Sequence, residues 1–135
     1  MRPVVTSHFL SRPAILLISS LPFILFWRWL WRGEVLYWGT LLLQFWPWHQ
    51  LVKESWLAGQ WPLWNPLLGN GAPLLANMQS AALYPPNLLL LPLPTEHALT
   101  LSIVLHLVLA GLTMYFYSRR LAFTPFGATV SALAF

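Results

Sequence analysis

The stretch Trp61–Asn87, WPLWNPLLGNGAPLLANMQSAALYPPN, decides how the chain is read. Pro62, Pro66, Pro73, Pro85 and Pro86 each remove a backbone donor and fix a φ angle, while Gly69 and Gly71 supply positions where φ turns positive. Such a run makes turns and short helical pieces rather than one long element. Between the breakers stand Trp61, Trp64, Leu67, Leu74, Met78 and Tyr84, too apolar for a solvated linker. An ordered, partly buried loop at a membrane surface reconciles the two features. Long ordered loops of this kind tend to be functional.

Composition points the same way. The 135 residues are 58% hydrophobic and 7% charged, against about 25% charged in soluble domains, which places the chain in a lipid bilayer. The net charge of +4 is scattered. It forms no basic cluster of the kind that tracks a phosphate backbone, so nucleic acid is not an expected partner. With no Cys, the sequence excludes disulfides, thiolate metal sites and a Cys nucleophile. Nine Trp residues, most of them just after the first apolar run, suit the headgroup level of a membrane.

Upstream of the loop, Pro13–Trp31 is apolar apart from Ser19, Ser20 and Arg28 and matches the ~20 residues that cross a hydrocarbon core. Pro22 is expected to kink it. No small-residue cleavage site follows, so it reads as an uncleaved span of about residues 13–31 rather than a signal peptide. After a break at Gly33–Gly39, Thr40 is placed to cap a helix over Leu41–Ala58, kinked or restarted at Pro47 and stopped by Gly59. From Pro47 onward its faces separate. Trp48, Leu51, Val52, Ser55 and Trp56 lie on one side; His49, Gln50, Lys53 and Glu54 lie on the other. That pattern predicts an amphipathic helix in the membrane interface; an ordinary helix packed on the loop that follows is the plainer reading, and the two can hold together.

Downstream, Pro85-Pro86 should open a short helix over Asn87–Leu93, and Thr95 should cap the next one. His97–Ser118 carries no formal charge and ends at Arg119-Arg120, giving a second span of about residues 96–118. Thr124-Pro125 reads as the cap and first residue of a third helix, 125–135, long enough for only half a bilayer. The chain is therefore expected to be the N-terminal part of one integral membrane domain, partnered by the remainder of its own chain beyond Phe135. Arg2, Arg12, Arg119 and Arg120 fall on one side of a two-span arrangement. The positive-inside rule makes that side cytoplasmic and the loop, about residues 32–95, extracytoplasmic.

The loop also carries a resemblance. PLWNP, GNGAPLLANMQSA and LYPPN, with YWGTLLLQFWPW upstream and LHLVLAGLTMYFYSRRL downstream, resemble the signature of the YfhO-like family of bacterial polytopic membrane proteins. The similarity covers roughly Tyr37 to Phe135. That family is grouped with GT-C type glycosyltransferases, which use lipid-linked sugars. The resemblance implies an all-α polytopic fold in the bacterial cytoplasmic membrane, with a cytoplasmic N-terminus. It also implies a first extracytoplasmic loop that forms part of the active site, and a polyprenyl-phosphate-linked sugar donor as partner. GT-C enzymes typically carry a catalytic Asp in this loop, whereas this sequence contains no Asp.

The carboxylates that remain are Glu34, Glu54 and Glu96. Glu34, just beyond the first span, could deprotonate an acceptor or help hold a metal near the donor phosphate; it could equally pair with Arg28 or Arg32. Glu54, on the polar face with Gln50, is the second catalytic candidate. Glu96 sits in a first helical turn, where its charge meets the positive dipole end, and reads as structural. His49 has no partner at metal-ligand spacing, so no metal site is expected. His106, midway along the second span, is a functional candidate by depth or an imidazole bonding a neighbouring helix. Asn65, Asn70, Asn77, Gln79 and Asn87 offer donors and acceptors among aromatic rings. With Trp64 and Tyr84, the first four make a candidate substrate site for a sugar or polyprenyl phosphate; the same amides also suit capping of turns between prolines. No cofactor is indicated. The rival to a transferase is a non-catalytic membrane scaffold or a lipid- or polymer-handling protein.

Overall fold

The computed structural model describes residues 11–32, 34, 36 and 39–135. The first ten residues and most of the break expected at Gly33–Gly39 lie outside this set. The described chain is mostly helical, with one two-residue antiparallel pair as its sheet. Its helices are α1 (Arg12–Leu25), α2 (Trp27–Trp31), α3 (Trp46–Leu57), α4 (Pro85–Leu89), α5 (Thr95–Arg120) and α6 (Pro125–Ala134); β1 is Trp64–Asn65 and β2 is Ala72–Pro73. The chain divides into two units, one formed by residues 1–27 and 103–135, the other by residues 28–102.

In the first unit, α1, α6 and the later turns of α5 share a small core of Ala14, Ile18, Tyr115, Ala128 and Ala132. Small residues let the helices come close. A Cβ placed on Gly111 would lie 2.7 Å from Ile18 Cγ2, so glycine at this crossing removes a clash and lets packing replace it. The buried Tyr115 hydroxyl accepts a hydrogen bond from the Ser11 amide at 3.3 Å, which ties the start of α1 to α5.

α5 runs for 26 residues, about 39 Å at 1.5 Å per residue, and is long and apolar enough to cross a membrane. The rest of the chain buries only 28% of its most apolar window. Core helices of soluble proteins are mostly buried, so this surface suits lipid better than a protein interior.

Two sequence expectations need revision here. The predicted span over 13–31 is two helices: α1 covers 14 residues and stops where Phe26 leaves helical dihedrals at φ −98° and ψ 18°. Pro22 lacks an amide and takes one bond out of the helical ladder. α1, of 14 residues, reaches about 21 Å, and α2 resumes at Trp27 and runs to Trp31. The capping roles also change. Thr40 already has helical dihedrals and makes no capping bond. Thr95 is the first residue of α5, behind the Pro94 carbonyl that accepts from the Ala98 amide. By contrast, Thr124 caps α6 as expected, accepting from the Gly127 amide at 3.1 Å with Pro125 directly after it.

In the second unit, the expected kink at Pro47 takes the form of a wider turn. Residues Leu41–Phe45 are π-helical, and the Trp46 amide reaches the Leu41 carbonyl. Pro47 has no amide for the Leu43 carbonyl, and its ring would strike that carbonyl in a regular α-helix. Widening the preceding turn makes room for it. α3 then ends in a Schellman motif: the Gly59 amide bonds to Trp56 O at 3.0 Å and the Gln60 amide to Ser55 O at 2.9 Å. Gly59 takes the left-handed position at φ +69°.

The apolar face of α3 turns inward on the loop. Val52, Leu74 and Ala82 form a buried cluster with Trp48, Leu51, Trp56 and Leu75 around it. Trp56 Nε1 donates to Ala82 O at 3.3 Å. The polar face is also covered: Lys53 Nζ donates to Leu93 O at 2.5 Å, and the Thr95 hydroxyl donates to Gln50 Oε1. α3 is thus packed on its own loop, as one reading of the amphipathic pattern expected.

If close approach at Gly111 holds α1 against α5, then Gly111→Val should destabilise the first unit by about 1–3 kcal/mol through overpacking. Pairing it with Ile18→Ala should recover most of that loss. Thermal unfolding in detergent, followed by circular dichroism, measures both.

Candidate functional site

The loop between α3 and α4 is built by using its polar groups on itself. β1 and β2 pair with Trp64 opposite Pro73 and Asn65 opposite Ala72. Asn65 is buried, and its Oδ1 accepts from the Leu67 amide at 2.9 Å, an Asx turn that fixes the hairpin tip. The Leu74 amide donates to Leu63 O at 2.9 Å, and Leu74 is 1% exposed. Ser80 Oγ lies 2.9 Å from Leu74 O and 2.8 Å from Asn77 O, its one proton serving the two carbonyls. Trp64 lies flat over Gly71; a Cβ there would overlap the indole, and φ of +93° also asks for glycine.

A second turn shapes a cleft. Asn77 caps the 3-10 turn Met78–Ser80, its Oδ1 accepting from the Gln79 amide at 3.1 Å. Ala81 follows in a left-handed conformation, φ 47° and ψ 36°, which costs a non-glycine residue on the order of 1 kcal/mol. Here the chain turns sharply enough to leave a cleft of about 370 Å³, with Leu75, Asn77, Met78, Leu83, Tyr84 and Pro85 in its walls. The walls are mainly apolar, with the Asn77 amide and the Tyr84 hydroxyl as polar points. Met78 is 88% exposed at the rim. Asn87 braces the cleft from behind: its Nδ2 donates to Ala81 O at 3.5 Å and its Oδ1 accepts from Ser102 at 3.4 Å.

Of the six expected substrate-binding residues, the cleft brings together Asn77 and Tyr84. Gln79 stands on the same turn but is exposed and accepts from Gln44 Nε2 at 2.9 Å. Trp64, Asn65 and Asn70 belong to the hairpin, where Asn65 is structural and Asn70 is exposed near the tip. Neither catalytic candidate lines the cleft. Glu34 takes two hydrogen bonds from Arg28, at 3.0 and 3.2 Å, through a single oxygen. Glu54 accepts from Gln50 Nε2 at 2.7 Å. Sequence reasoning passed over Ala81, Leu83 and Pro85. Alanine gives no sign of a positive φ, yet Ala81 takes one and stands in the cleft wall. Among the described residues, no group of three His, Asp or Glu side chains is placed to hold a metal.

Beside this site, Trp46 Nε1 donates to Glu96 Oε2 at 3.4 Å. His49, on the α3 face that was expected to be polar, is half-buried, and desolvation pushes its imidazole below the ordinary value of 6.5. The sign of the linkage follows. Above 6.5 the imidazole is neutral in both folded and unfolded chains. As pH falls through 6.5 the unfolded chain takes up a proton before the folded one, and stability is lost. Acidification through this window should therefore lower the unfolding temperature. A His49→Leu variant should show a flatter dependence over the same range, read by circular dichroism in detergent.

Neither the protein-family models, nor the curated proteins, nor the solved structures give a match to this chain.

Proposed function

We propose that the chain carries the first extracytoplasmic loop of a GT-C type membrane glycosyltransferase of the YfhO-like kind that its loop resembles. In this reading the loop binds a polyprenyl-phosphate-linked sugar. The supporting observation is the cleft beside the 3-10 turn, whose walls are apolar except for Asn77 and Tyr84. An amphiphile asks for that mixture: alkyl surface for an isoprenoid and a few oriented donors and acceptors for its phosphate or sugar. The chain is multi-pass in this proposal and sits in a bacterial cytoplasmic membrane. Its N-terminus is cytoplasmic, and α1 and α6 join α5 in the bilayer beside further helices.

A second reading has its own observation. Glu34 is tied to Arg28, Glu54 to Gln50, and both stand away from the cleft walls. An acid–base group must reach the proton it moves. This arrangement favours a loop that holds a lipid-linked substrate without itself supplying the acid or base, as in a lipid- or polymer-handling protein.

Binding and transfer separate the two. In lipid nanodiscs, a fluorescent polyprenyl-phosphate sugar should bind saturably and be displaced by unlabelled polyprenyl phosphate. Asn77→Ala should weaken binding about tenfold, the equivalent of a lost hydrogen bond of roughly 1.4 kcal/mol. Tyr84→Phe should weaken it less, since it keeps the ring. Glu34→Gln and Glu54→Gln should leave binding unchanged. Transfer to an acceptor that is lost in either Gln variant identifies that carboxylate as catalytic. Binding without transfer favours the handling protein, and no saturable binding at all sinks both readings.

A further inference from the structure

The amphipathic pattern of Pro47–Leu57 suggested that α3 is the element lying in the membrane interface. Its apolar face is already occupied: Val52 is 6% exposed against Leu74 and Ala82, and Trp56 hydrogen bonds to Ala82 O. Its other face holds Leu93 O and Thr95. Trp48, Leu51 and Trp56 keep part of their surface, and Leu57 at the end of α3 is 69% exposed.

Leu43, Met78 and Leu89 are exposed apolar residues of this unit as well, and the hairpin tip gathers several in one turn. At the hairpin tip Leu67 is 80% exposed, and Leu68, Leu63 and Trp64 stand out beside it. The tip is held in shape and is not a floppy end. Asn65 bonds to the Leu67 amide, the Gly71 amide bonds to Leu68 O at 2.8 Å, and the Trp64 ring is seated on Gly71. A fixed tip that presents leucines and an indole outward has a partner other than water.

Two observations identify that partner. No residue from Ser55 through Thr95 carries a formal charge, so the tip and everything around it in sequence lack the charged rim usual at a protein–protein contact. Moreover, this uncharged run leads directly into α5, whose first turns belong to the same unit as the hairpin. A helix about 39 Å long overshoots a ~30 Å hydrocarbon core, which leaves its first turns room at the headgroup level. Tryptophan at that level with leucines reaching deeper is the side-chain chemistry of a bilayer interface.

We infer that the hairpin tip Trp64–Gly71 dips into the bilayer, with Leu67 and Leu68 below the headgroups and Trp64 among them. The inference rests on α5 crossing the membrane and is independent of what the cleft binds. The tip then fixes the height of the cleft above the lipid, at a depth where an amphiphile could enter sideways from the bilayer.

Because the chain has no cysteine, single Leu67→Cys, Leu68→Cys, Glu54→Cys and Leu109→Cys variants of the full chain each carry one nitroxide label. Power-saturation measurements in phosphatidylcholine vesicles compare collisions with oxygen, which concentrates in lipid, and with a water-soluble nickel chelate. Labels at positions 67 and 68 should meet oxygen strongly and the chelate several-fold less than the label at position 54. The label at 109, on the exposed side of α5, should show the strongest lipid signature. If 109 behaves as lipid-exposed while 67 and 68 meet the chelate as freely as 54, the inference is overturned and the span survives. Labels at 67 and 68 shielded from both reagents would mean that protein covers the tip, which also overturns it. A water-exposed label at 109 removes the span and this inference with it.

Discussion

Five prolines in 27 residues leave Trp61–Asn87 short of backbone donors, and that shortage governs the second unit. A segment that can form neither a helix nor a broad sheet must satisfy its remaining donors and carbonyls locally and borrow a surface to bury its apolar residues. α3 is that surface. Leu74 and Ala82, two buried apolar residues of the loop, meet Val52 on it, and Trp56 supplies a donor to the Ala82 carbonyl. Around this contact the short pairing of β1 with β2, the 3-10 turn and the turn into α4 are the hydrogen-bonded pieces that fit between the prolines.

The same shortage explains why so few polar side chains face outward. Asn65 and Asn77 complete turns, Ser80 serves two carbonyls, and Asn87 braces the chain at Ala81. Side chains spent on the backbone cannot also make full use of their bonding capacity for a ligand. Asn77 keeps some: its Oδ1 accepts one backbone bond, while an amide group also has two N–H donors. In the cleft wall it is a place where a loop side chain keeps donors beyond its backbone bond.

Much of this was legible because it depends on local rules. Gly59 ends α3, Pro85-Pro86 opens α4 in its first turn, and Thr124-Pro125 starts α6. The long uncharged run before Arg119 is one helix. Other features depend on quantities that sequence does not carry. Periodicity shows that α3 has an apolar face, but the same pattern serves a lipid surface or a neighbouring segment, so it could not say which one covers Trp48, Leu51 and Val52. Pro47 warned of a disturbance, yet whether a helix bends, stops or widens depends on how the preceding turn packs. Asn65 and Asn77 are expected as substrate-binding amides, with turn capping as the plainer alternative. Their side-chain oxygens proved to hold turns, a use that the Asn-Pro pairing at Asn65 already suggested. Glu34 follows the same logic, since Arg28 lies within reach along the chain and takes it.

Occupation of both faces of α3 has a further consequence. Lys53 and Gln50 would have marked the water-facing side of an interfacial helix, but they bond to Leu93 and Thr95 at the start of α5. α3 is thus the middle of a three-part stack, with the proline-rich loop on one side and the entry to α5 on the other. Any tilt or shift of α5 in a bilayer bears on Thr95 and Glu96, and through Gln50 and Trp46 on the helix that supports the loop. The contact from Val52 to Leu74 carries the same displacement to the segment that shapes the cleft. Packed cores shift by discrete rearrangement rather than continuous deformation. The proline-rich loop and the first turn of α5 are therefore braced through one helix, and a rearrangement at either contact of α3 reaches the other.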